Sequence, residues 1–63
     1  MRQITYVILN EKGQMMNGLT SDYLFWTDLI VNAKLFDNQH LAENTNRFAK
    51  GTIKRLYYTL EDL

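Results

Sequence analysis

Hydrophobic and polar positions alternate at both ends of this chain and take a helical period between them. Residues 3 to 9, QITYVIL, are rich in the β-branched and aromatic types that suit a pleated strand. Asn10-Glu11-Lys12-Gly13 follows as a turn, with Gly13 the position that needs positive φ. Gln14 to Leu19 predicts the returning strand of a hairpin, ended or interrupted at Asn17-Gly18. Thr20-Ser21-Asp22 reads as a loop. Tyr23 to Trp26 is then a third short strand, or the second one continued past a bulge.

Thr27 before Asp28 predicts an N-cap, because its hydroxyl can accept an orphan backbone N–H and an acid suits the first turn. Residues 28 to 33 leave room for one or two turns, and Lys34-Leu35-Phe36 for an extended segment. Asp37 predicts a second and stronger N-cap, which puts Phe36 and Leu41 at the N′ and N4 positions of a hydrophobic staple. From Asn38 to Lys50, Leu41, Ala42, Thr45, Phe48 and Ala49 recur at the spacing of one helical face. Glu43, Asn44, Asn46, Arg47 and Lys50 fall on the solvated side, and Gly51 stands where a left-handed residue would end the helix. The last segment, residues 52 to 60, is TIKRLYYTL and β-prone.

The order is ββ(β)αβ in a single domain covering residues 1–63. This is an α+β chain: a small antiparallel sheet, made of the N-terminal hairpin and the C-terminal strand, with one principal helix on one face. The alternation then poses a problem. Ile4, Tyr6 and Ile8 point one way while Val7 and Leu9 point the other; Leu56, Tyr58 and Leu60 oppose Ile53 and Tyr57. Both faces are apolar, and one helix covers one of them. A second copy, another protein or a ligand is expected on the other.

Composition sharpens that expectation. A chain of 63 residues is near the lower limit for folding alone, and its core rarely supplies more than ~5 kcal/mol. There is no cysteine, so neither a disulfide nor a Cys-based zinc site adds support. A partner subunit is the expected supplement, and a homodimer its simplest form. At 46% hydrophobic residues the chain is too apolar for a solvating tail. Seven basic and seven acidic residues cancel, which argues against a general nucleic-acid binder and equally against an acidic mimic of DNA. No signal peptide is legible at the N-terminus and no stretch approaches the ~20 apolar residues of a membrane span, so the cytoplasm is the expected setting.

With these elements placed, the string Tyr6-x-Ile8-x-Asn10-x-x-Gly13, then Trp26-Thr27-x-Leu29, Ala33-Lys34-x-Phe36 and Ala42, resembles small uncharacterised proteins of Gram-positive bacteria and their phages. The likeness spans nearly the whole chain. Met15 and Met16 depart from it, standing where related chains often carry an aromatic or aliphatic residue. The resemblance implies the fold and a phage or mobile-element accessory protein acting on a host factor. It transfers no catalytic residue.

Chemistry is sparsely provided. His40 is the single histidine, and Asp37, His40 and Glu43 lack the ligand number and softness of a zinc site. Ser21 has no base beside it, and Asp22 and Asp28, candidates by proximity in sequence, read as loop and cap acids. The three glycines form no phosphate loop. No catalytic, metal or cofactor site is expected, and the expected role is binding another protein. Tyr6, Trp26, Tyr57 and Tyr58 are the candidate contacts, since aromatic residues dominate interface hot spots. The alternative is single-stranded nucleic-acid or DNA binding through Arg47, Lys50, Lys54 and Arg55, with bases stacking on sheet aromatics.

Overall fold

In the computed structural model of the chain, residues 2–62 are described, Arg2 for its backbone alone. Strands β1 (Arg2–Leu9), β2 (Met15–Leu19) and β3 (Leu24–Thr27) come first. One 3-10 turn (Ile30–Asn32), helix α1 (Gln39–Ala49) and strand β4 (Thr52–Thr59) follow. The strands form one antiparallel sheet in the order β3-β2-β1-β4, with α1 against β1 and β4. The fold is the small α+β arrangement that the alternation predicts.

Asn10 organises the first turn. Its side-chain Oδ1 accepts from the backbone N–H groups of Lys12 (3.0 Å) and Gln14 (2.9 Å), while its carbonyl accepts from Gly13 (3.1 Å). Gly13 has φ +78°, where an L side chain is disfavoured, so a short polar residue and a glycine at this spacing select the turn. The second turn uses Thr20, whose Oγ1 accepts from Tyr23 at 3.1 Å.

The first hairpin does not stay zipped. β1 and β2 pair at Leu9↔Met15, and then Lys34 to Phe36 enters between them. Phe36 exchanges two 2.9 Å backbone hydrogen bonds with Tyr6, and Lys34 donates to the Met16 carbonyl at 2.9 Å. A bulge lies between Met16 and Gly18, and the extra residue bends and twists β2 away from β1. The splayed strands thus find backbone partners in residues 34–36, which are extended as the sequence predicts.

Ile8, Met16, Phe36 and Ala42 form the buried core, with Tyr6, Leu24, Trp26, Ala49 and Ile53 packed around it. Ladder partners share a face, so Ile4 with Tyr57, Tyr6 with Arg55 and Ile8 with Ile53 lie under α1. Gln3 with Tyr58, Thr5 with Leu56 and Val7 with Lys54 lie on the opposite face. The two faces are sorted as the alternation predicts, and the second is not bare, since Thr5 and Val7 on it are 6% and 5% exposed.

The ends of α1 correct the sequence reading. The N-cap is Asn38, not Asp37: Asn38 Oδ1 accepts from Leu41 at 2.9 Å. Phe36 is therefore not N′ and Leu41 not N4, and the predicted staple is absent; Phe36 is buried in the sheet and Leu41 is 50% exposed. At the other end Lys50, not Gly51, takes the left-handed conformation (φ 55°). Gly51 is needed for space instead, because a Cβ there would collide with the Leu9 carbonyl oxygen and sit 2.8 Å from Ile8 Cγ2. Asn46 is half-buried rather than solvated. It clamps Gly51 by accepting from its N–H (2.7 Å) and donating to its carbonyl (2.9 Å). Thr27 closes β3 and accepts from Leu29 at 3.1 Å, but the 3-10 turn itself has no side-chain cap.

Candidate interaction surface

The chain exposes more surface than its mass requires. Its accessible area is 5009 Å², against about 4,250 Å² for a compact monomer of this mass. Its radius of gyration is 12.2 Å, where a compact chain of this length has about 10.6 Å. The molecule measures 43 × 23 × 19 Å, an elongated shape whose sheet is longer than the helix laid on it.

The extra surface is strongly apolar. Leu29, Ile30 and Val31 form one exposed run through the 3-10 turn, with Val31 84% exposed. This turn is too short for an amphipathic period to develop, so three aliphatic neighbours have no inward side to share. On α1 the explanation differs. Ala42 and Ala49, seven residues apart, are the contacts toward the sheet, and their small side chains let the helix lie close. Leu41 and Phe48 precede each alanine by one position and fall beside the packed stripe, about half exposed. A third group belongs to β4 and the residues after it: Tyr57, Tyr58 and Leu60.

The four candidate contact residues do not converge. Tyr6 and Tyr57 lie on the α1 face and line a groove of about 360 Å³ with Gln39, Ile53 and Arg55. Trp26 is half-buried against the core. Its outer edge lines a second groove of about 640 Å³ between the first turn and the end of α1, with Leu9, Lys12 and Lys50. Tyr58 lies on the face away from α1. Trp26 is thus a packing anchor with one accessible edge, and the tyrosines divide between two faces.

The four basic residues are also dispersed. Arg47 is exposed in the last turn of α1, where a cation complements the helix dipole, and Lys50 follows as its cap. Lys54 pairs in register with Val7 on one face of the sheet and Arg55 with Tyr6 on the other. Four charges that are close in sequence therefore point several ways. Lys34 takes a different role, with its ammonium 5.6 Å from the centre of the Phe36 ring.

His40 is the second residue of α1 and exposed, one place earlier in the helix than the Asp37 cap implied. Asp22 and Asp28 lie at opposite ends of β3. Among the described residues no three His, Cys, Asp or Glu side chains come together as metal ligands would. Thr5 was not singled out by sequence reasoning: it is 6% exposed on the face away from α1, and its hydroxyl has no hydrogen-bond partner. Its place in an alternating strand was legible, but the loss of solvent around one hydroxyl was not. Among the described residues no helix is long and apolar enough to cross a membrane. Comparison with protein-family models, curated proteins and solved structures gives no match.

Proposed function

We propose that this chain is a non-catalytic protein-binding module that associates with itself. The observation that supports this reading is the surplus of apolar surface. The area of 5009 Å² exceeds that of a compact monomer by roughly 750 Å², close to what one partner contributes to a standard interface. Leu41, Phe48, Tyr57 and Tyr58 lie on regular elements, and folding alone leaves about half of each exposed. A second module bound over part of this surface removes apolar area from water and supplies the stability that so small a core lacks. The likeness to phage proteins of Gram-positive bacteria makes a host protein the further partner to seek.

The test is light scattering through a dilution series, with binding of a hydrophobic dye measured on the same samples. Self-association at high concentration, with dye binding that rises on dilution as apolar surface is uncovered, is the expected result. A stable monomer at every concentration, binding no dye, would overturn the reading.

A further inference from the structure

Surplus apolar area does not by itself say where a partner sits. β4 is an edge strand: it pairs with β1 from Leu9↔Thr52 to Arg2↔Thr59, and its outer side meets no strand among the described residues. Its eight residues, TIKRLYYT, are mostly β-branched or aromatic, and the chain continues past the last pair as Leu60-Glu61-Asp62. A long edge of this kind is a template for another strand. Leu60 is 62% exposed beyond it.

We propose that a second copy of this chain adds to this edge, antiparallel, about a two-fold axis through Tyr58. Tyr58 then faces the partner's Tyr58, Tyr57 faces the partner's Thr59, and Leu56 faces the partner's Leu60. Arg55 faces the partner's Glu61 and Lys54 faces the partner's Asp62. The order of charge along the strand favours this pairing. Two cations come first and two acids last; with the strand carried on from Thr59 through Asp62, roughly 20 Å separates Arg55 from Glu61 and roughly 26 Å separates Lys54 from Asp62, so neither pair closes within one extended copy. Antiparallel pairing of two copies closes both pairs twice.

The register is selective. Two residues of slip, the smallest that keeps each side chain on its face, set Lys54 opposite the partner's Leu60 in one direction and Leu56 opposite the partner's Asp62 in the other, and neither closes an ion pair. Parallel pairing sets each cation against its own copy. Directly opposed residues share a face. Leu56, Tyr58 and Leu60 of both copies therefore join on the face away from α1, while Arg55, Tyr57 and Glu61 join on the α1 face. The inference rests on the protein-binding reading and names the partner and the edge.

Two kinds of variant of the full chain test it. Tyr58→Cys introduces a single thiol into a protein without cysteine, and that thiol would stand across the axis from its copy. The Cα separation there is roughly 4.5–5.5 Å, within disulfide reach. In a glutathione redox buffer Y58C is expected to form a covalent dimer about tenfold faster than the exposed control Val31→Cys, because the pair is held in place. In sedimentation, Arg55→Glu and Glu61→Arg are each expected to raise the dimer dissociation constant roughly tenfold or more, while the double variant returns to within about threefold of the parent. Circular dichroism confirms that all are folded. A dimer indifferent to the charge swap, with Y58C no faster than V31C, would overturn the edge and its register while sparing the binding-module reading. A monomer throughout would overturn both.

Discussion

Thr5→Val should stabilise this protein, although it deletes a hydroxyl from a strand. Thr5 is 6% exposed, and its Oγ1 has no donor or acceptor within reach. Folding therefore strips water from the hydroxyl and returns nothing, at a cost of about 1–3 kcal/mol for a buried unsatisfied group. Valine has the same shape and χ1 preference and belongs equally well in a strand. The swap leaves neither a cavity nor a clash, and it puts a methyl where the oxygen was. The expected gain is about 1–2 kcal/mol. Unfolding entropy near 2.1 cal/mol/K per residue gives about 130 cal/mol/K for this length, so each kcal/mol moves Tm by roughly 8 °C. Thermal and urea unfolding by circular dichroism would read the change, with both proteins at one concentration because self-association couples stability to concentration. A Thr5→Val protein equal to or less stable than the parent would mean that the hydroxyl has a partner in solution and that its burial costs nothing.

Four further outcomes follow from the geometry. Gly51→Ala places a methyl against the Leu9 carbonyl and Ile8 Cγ2 and should cost about 2 kcal/mol or more, seen as a lower urea midpoint. Asn46→Ala removes both hydrogen bonds that hold Gly51 and should cost about 1–3 kcal/mol by the same assay. Asn38→Ala should lose about 1 kcal/mol with its cap, whereas Asp37→Ala should change stability by less than about 0.5 kcal/mol; equal effects would contradict the cap assignment. Lys50→Gly should raise stability by about 0.5 kcal/mol, because Lys50 carries the left-handed turn that glycine adopts freely.

Local chemistry was legible in the sequence and tertiary choice was not. Asn10 and Gly13 announce their turn because every bond that forms it lies within residues 10–14. Asp37 and Asn38 are both sound caps by local rules, and the structure uses the second. Phe36 is bridged to Tyr6 on β1, a contact thirty positions away that alternation does not reveal. Gly51 was legible as a necessary glycine for a different reason: the helix end suggests a left-handed residue, while the constraint is contact with β1. Two apolar sheet faces could be read from period two alone. The dispersal of Tyr6, Trp26, Tyr57 and Tyr58 depends on strand order and on the splay of β2, and neither is encoded in a single strand's pattern.

On the proposed reading, one copy of this chain leaves surface that a second copy covers. Sedimentation equilibrium of the unmodified protein across a dilution series tests it most directly. The expected mass falls from twice 7.5 kDa toward 7.5 kDa as the protein is diluted. A mass of 7.5 kDa at every concentration would contradict it.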